Sequence, residues 1–384
     1  MRYISLHFIL SFSHEDYGRA TSISHITDQL KSSRPSYEVT PSSPQGRRAN
    51  ATFDRVNKPL GYPYVFLNEE PFTKEFKERV SALTDAKVEF GLIPKEDWYQ
   101  PNWIDEDRAS AARLDMIQNK VIYGGRHDRL RLQCSGFSDF FSDHRKRAVC
   151  VACILSAVDA YLTHCLVTAI CAGSILGQEL LAKYKYYWRV EPDVTFYCDL
   201  DYDPFLFMQD NNKVYVPRNN SDIVGLRQRH VLQSMHIHAL SILISNTTEF
   251  IRENPDFLPK DNAMSFISDD GGETYNNCHF WSNFEIGDLD LWRGEAYSKF
   301  FDYLDQKGGF YYERWGDAPV HSIGAALFAH KDQIHFFDEI GYKHNPFQHC
   351  PQGQLHEKGK CWCDPKENFD FEWYSCLKRY NALF

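Results

Sequence analysis

Tyr186-Tyr187-Trp188-Arg189-Val190 sets aromatic and β-branched residues around one charge, the pattern of a buried strand. Residues 64–67, Tyr-Val-Phe-Leu, form a second such run. After the Pro71-Phe72 turn, residues 73–83 are predicted as a helix, and residues 109–119 as another. Residues 266–272 read as a strand end running into the Gly271-Gly272 turn. Gly316 and Pro319 bound a turn that opens a helix at Ala318. Strand and helix patterns alternate, which predicts an α/β fold with a mixed central sheet flanked by helices.

Two apolar stretches stand apart. Residues 4–12 are broken by His7 and fall short of the ~20 residues that a bilayer span needs; they are also too poor for a good signal peptide. Residues 148–176 are almost wholly apolar, with Asp159 and His164 as interruptions and Arg145-Lys146-Arg147 in front. Their length and basic flank suit a transmembrane helix. A span there would divide two halves of one domain, which favours an insertion or a translated intron. Residues 31–50 are rich in Ser, Pro, Arg and Gln and read as a flexible stem.

The chain has 384 residues, enough to bury a large core. Its aromatic content of 15% suits a cleft that stacks bases and sugar rings, although aromatics also build plain core. A net charge of −10 argues against nucleic acid as a partner. It leaves room for a nucleotide diphosphate whose charge a metal neutralises. Of 11 cysteines, Cys350, Cys361, Cys363 and Cys376 crowd the C-terminal end without a clean C-x₂-C pair. Disulfides are therefore favoured over zinc, which implies a secretory lumen. Sequons at Asn50, Asn219 and Asn246 are compatible with that compartment.

The densest chemistry follows the first strand. Pro192 biases Glu191 toward extended geometry, so Glu191 and Asp193 are held in a fixed turn at a strand end. Such a pair suits a divalent cation that shares oxygen ligands with a diphosphate. A solvated acidic turn is the plain alternative. The apolar setting and the second acidic cluster at Asp199, Asp201 and Asp203 favour the metal.

As a whole, Y-Y-W-R-V-E-P-D-V-x-F-Y-C-D-x-D-Y-D-x-F resembles the fungal Golgi α-1,2-mannosyltransferases, the glycolipid 2-alpha-mannosyltransferase or KTR family (glycosyltransferase family 15). Further matches run through Gly61-Tyr62-Pro63-Tyr64, Ile93-Pro94-Lys95-Glu96-Asp97-Trp98 and the chain from Met264 onward. The resemblance implies a single Rossmann-like nucleotide-sugar transferase domain. It implies retaining transfer of mannose from GDP-mannose to a mannose hydroxyl of a glycoprotein or glycolipid glycan, with Mn²⁺. It also implies a type II membrane protein of the Golgi lumen, anchored at its N-terminus. Carried over residue by residue, Glu191, Asp193 and His344 are the metal ligands, and Glu285 in Ser282-Asn283-Phe284-Glu285-Ile286 is the nucleophile. Asp317 would serve the acceptor hydroxyls, Arg314 the phosphates, and Tyr64 the nucleotide. The alternatives for the two carboxylates are a helix-start glutamate and an N-cap.

The resemblance fails in blocks at residues 54–60, 126–178 and 216–245. The family's first strand–helix unit is cut short there, and a tyrosine and a glutamate of its site have no counterpart. Residues 1–47 read as an N-terminal segment and stem, and residues 48–384 as the transferase domain with atypical inserts. Sharp-edged failures predict a translation with missed splice boundaries. An inactive relative acting as a lumenal partner and a mannose-binding lectin-like module are the other two readings.

Overall fold

The computed structural model describes residues 3–7, 56–68, 71–92, 101–119, 180–190, 194–219, 230–344, 346–373 and 375–384. Its strands are β1 (Tyr3–His7), β2 (Tyr64–Asn68), β3 (Val88–Leu92), β4 (Tyr186–Val190), β5 (Thr195–Phe196), β6 (Tyr215–Asn219), β7 (Phe280–Asp288), β8 (Tyr342–His344) and β9 (Phe347–His349). The helices used below are α1 (Lys74–Ser81), α2 (Glu106–Gln118), α3 (Pro204–Asp210), α4 (His230–Glu253), α5 (Leu289–Arg293), α6 (Glu295–Lys307) and α7 (Asp317–Phe328). Six strands form the main sheet in the order β3-β2-β1-β4-β7-β6, and β5-β8-β9 form a small antiparallel one.

β3, β2, β1 and β4 run parallel, so their carboxyl ends share one edge, where open α/β sheets bind ligands. β7 runs antiparallel to both β4 and β6, which makes the sheet mixed, as the sequence predicts. β1 comes from the N-terminal segment expected to lie outside the transferase domain. The short apolar run at the N-terminus thus supplies a strand between β2 and β4.

Local chemistry accounts for several boundaries. Thr73 caps α1 by accepting the Phe76 N–H at 3.1 Å, and Phe76 and Val80 turn inward, close to the predicted helix. α2 starts three residues before its predicted first residue, with Glu106 and Asp107 in its first turn. The strand end expected at residues 266–272 is instead a helical turn, Met264–Ile267, leading into a loop. The reason is side-chain competition: Ser268 Oγ accepts the Gly272 N–H, and Asp270 accepts both the N–H and hydroxyl of Thr274. In place of the unmatched block at 216–245, β6 extends to Asn219 and α4 starts at His230.

Apolar layers cover both faces of the sheet. One holds Tyr64, Phe66, Trp188, Val190, Phe284, Ile286 and Tyr342. The other packs helices α4 to α7 through Leu243, Phe250, Trp292, Phe300 and Ile323. All nine residues of β7 are buried. The predicted disulfides are present as Cys198–Cys361, Cys278–Cys376 and Cys350–Cys363. Residues 148–176 lie outside the described residues, among which no helix is long and apolar enough to cross a membrane.

Candidate active site

β4 and β7 bring the site together. Their antiparallel register sets Arg189 opposite Glu285, so the two side chains leave the same face of the sheet. α7 packs on that face, and Asp317 and His321, four residues apart, lie one above the other on it. Arg189 donates to Asp317 Oδ2 at 2.9 Å, and His321 Nδ1 meets Glu285 Oε2 at 3.0 Å. Each strand charge therefore has its own partner on the helix.

A bulge completes the cluster. Pro217 of β6 pairs with Glu285, yet the next residue, Arg218, pairs with Trp281, so β7 accommodates three extra residues. Pro217 has no N–H for the ladder, which suits this break. Ser282 and Glu285 would point to opposite faces of a regular strand. Here both reach the α7 side, where Ser282 donates to Asp317 Oδ2 at 2.8 Å.

Glu285 is 0% exposed and sits mid-strand, not at a helix start. Tyr187 donates to its Oε1 at 2.7 Å and Tyr215 to its Oε2 at 3.1 Å. Burial alone would raise its pKa. The His321 ring, the Arg189 charge and the Tyr187 hydroxyl outweigh that and hold it below the usual carboxylate value. Asp317 goes the other way: burial pushes it up, and Arg189, His321 and Ser282 offset only part of that. It is the first residue of α7 but does not cap it. Gly316 is the N-cap, and the Asp317 carboxylate is turned to Arg189 and Ser282.

The remaining expectations divide. Glu191 and Asp193 lie outside the described residues, between β4, which ends at Val190, and β5, which starts at Thr195. Thr195 pairs with Lys343, and half-buried His344 follows it as the last residue of β8. Its ring meets Trp281 edge-on at 5.3 Å. Arg314 occupies a left-handed turn at φ 57°, three residues before α7. Tyr64 is 1% exposed and lies in the apolar layer with Phe66 and Trp188. Two acids of the second cluster have partners of their own. Asp203 caps α3 by accepting the Phe205 and Leu206 N–H groups, and Asp201 pairs with Lys358 at 3.0 Å. Thr248 of the Asn246 sequon is buried in α4 and bonded to the Ile244 and Gly272 carbonyls, so that sequon lies within a packed helix.

Tyr187, Arg189, Tyr215, Ser282 and His321 belong to the site, yet residue-by-residue reading did not nominate them. The available signals were a charge inside a buried strand and the i, i+4 spacing of Asp317 and His321.

The family model described as glycolipid 2-alpha-mannosyltransferase matches residues 47–148 and 144–383. Glycolipid 2-alpha-mannosyltransferase 2 of Candida albicans is 46% identical over 330 residues, which is 85% of this chain and 61% of that protein. The glycolipid 2-alpha-mannosyltransferase of Saccharomyces cerevisiae is 43% identical, over 85% of this chain and 63% of its own length. This chain thus spans about three fifths of the length of those relatives. Core-mannan synthase A of Aspergillus fumigatus, crystallised in a Mn/GDP form, superposes with a TM-score of 0.71 at 31% identity, covering 98% of this chain and 84% of that one.

Proposed function

Since the chain belongs to the glycolipid 2-alpha-mannosyltransferase family, we propose that it transfers mannose from GDP-mannose to a mannose hydroxyl of a glycan, forming an α-1,2 link with retention. The observation that carries this reading is the strand Tyr186–Val190. It stands between β1 and β7 in the sheet, ends immediately before Glu191 in sequence, and carries Arg189, which pairs in register with Glu285 and bonds Asp317. The glycan acceptor, on glycoprotein or glycolipid, follows from the family.

Glu191, Asp193 and His344 would hold Mn²⁺, and the set fits, because carboxylates with one imidazole suit Mn²⁺ better than Mg²⁺ or Ca²⁺. The bound ion would neutralise the diphosphate as it leaves. Arg314, in its left-handed turn, supplies positive charge to the phosphates. Glu285, kept ionised among three donors, supplies negative charge on the face opposite the leaving group, where the oxocarbenium-like centre develops. Asp317, whose affinity for protons burial raises, accepts the proton of the attacking hydroxyl. Three disulfides support an oxidising lumen, and the family's Golgi location and N-terminal anchor complete the reading.

Radiolabelled GDP-mannose with methyl α-mannoside and Mn²⁺ tests this. The product is expected to be cleaved by an α-1,2-specific mannosidase, and activity to vanish with chelator and return best with Mn²⁺. Full activity in excess chelator overturns the metal assignment, and a mannosidase-resistant product overturns the linkage. The rival reading, an inactive relative, draws on the shortened stretch between Phe53 and Gly61. It predicts no turnover, and calorimetry then separates a partner that binds neither GDP nor Mn²⁺ from a lectin that binds mannose without either.

A further inference from the structure

Resting on the proposed transfer, we infer that His321 is a positioning residue: it fixes the Glu285 carboxylate under the reacting centre and couples it, through one turn of α7, to Asp317. Glu285 has three donors, and two of them, Tyr187 and Tyr215, are carried by strands of its own sheet. Those two hold it relative to β4 and β6. His321 ties it to the helix that presents Asp317. The spacing between the two carboxylates therefore depends on His321 and on the Arg189–Asp317 pair, which lies one helical turn away.

The ring is itself clamped. It is 3% exposed, stacks on Trp292 with centroids 4.6 Å apart and planes at 20°, and meets Tyr297 edge-on at 6.1 Å. Trp292 donates its indole N–H to the Tyr187 hydroxyl at 3.0 Å, and that hydroxyl donates to Glu285. Glu285, Tyr187, Trp292 and His321 thus close a ring of contacts in which no member can turn alone. An ionised carboxylate only accepts, so the proton on the imidazole nitrogen that faces it sits on Nδ1. That nitrogen is what the position requires, and few side chains offer a donor there.

Substitution can distinguish this role from simple packing. Asn places its amide nitrogen where Nδ1 sits, whereas Gln reaches toward Nε2. In the full chain, His321→Ala and His321→Gln are expected to lower kcat about 10–100-fold, as loss of a residue that orients a reacting group does. The KM for GDP-mannose should stay within about threefold, and His321→Asn should regain most of kcat. Equal rates for the Asn and Gln variants, or a loss confined to KM or to melting temperature, would overturn the inference. If the wild-type chain shows no turnover, the functional reading fails separately, and nitrogen NMR of the histidine-labelled chain decides the point. A Nδ1-protonated signal that shifts on Glu285→Gln supports the contact, and a signal indifferent to that change refutes it.

Discussion

The two faces of β4 and β7 are equally buried and chemically opposite. On one, Trp188, Val190, Phe284 and Ile286 pack against aromatic rings, with Trp188 meeting Phe196 and Phe284 edge-on at 5.6 and 5.4 Å. On the other, one residue away along each strand, Arg189 and Glu285 are as deeply buried but end in four hydrogen bonds, one of them the Arg189–Asp317 ion pair. Burial therefore does not mark the site. An apolar face is stabilised by area removed from water and tolerates small losses. A buried charged face is stable only while each group keeps its partner, because an orphaned charge carries its full desolvation cost. A protein keeps such a face where chemistry needs it.

The contrast can be broken in four places. The largest effect is expected for Glu285→Gln: kcat should fall by about a thousandfold, or about 4 kcal/mol of transition-state stabilisation, with GDP–Mn²⁺ binding by calorimetry nearly intact. Parallel losses in binding and turnover would make Glu285 a structural residue. Next, Arg189→Met leaves Asp317 buried without its cation and should cost about 3–5 kcal/mol in urea unfolding. The double variant Arg189→Met/Asp317→Leu should recover most of that stability while remaining inactive. A double variant as unstable as the single would show that the pair is not what this face depends on.

Third comes Gly287, which faces Tyr187 and Tyr215 in neighbouring strands. A Cβ there would lie 2.6 Å from the Tyr187 ring and 3.0 Å from the Trp292 indole nitrogen, so Gly287→Ala must displace the rings that hold Glu285. We expect a stability loss of about 1–3 kcal/mol, together with a fall in kcat. A drop in stability with kcat unchanged would separate the rings from the reaction. The smallest effect belongs to the apolar face. Ile286→Val, next to Glu285 and 0% exposed, should cost about 0.5–1.5 kcal/mol and leave the folded protein's kcat as it was. A large loss of kcat there would show that the faces are coupled.

Much of the scaffold was legible in order along the chain. Residues 64–67 and 186–190 announce buried strands by composition, Thr73 and the residues after it announce a helix, and the C-terminal cysteines announce disulfides. The motif from Tyr186 to Asp203 was enough to name the family, and the matching stretches around Glu285 and Asp317 nominated those two carboxylates. These are local signals, carried by a few neighbouring residues, and they survive without knowledge of the rest of the chain.

Only the tertiary structure decided which side chains meet. Arg189 and Glu285 are 96 positions apart in sequence, yet the β4–β7 register makes them neighbours. Asp317 and His321 reach them only because α7 lies on that face. The bulge opposite Pro217 turns Ser282 to the same side as Glu285, against the strict alternation that a strand pattern predicts. Likewise, residues 3–7 show a short apolar run, but their place between β2 and β4 belongs to the sheet as a whole. Periodicity specifies that a residue is buried; register between distant strands is set by the summed packing of both faces, and one step of slip would exchange the apolar face for the charged one.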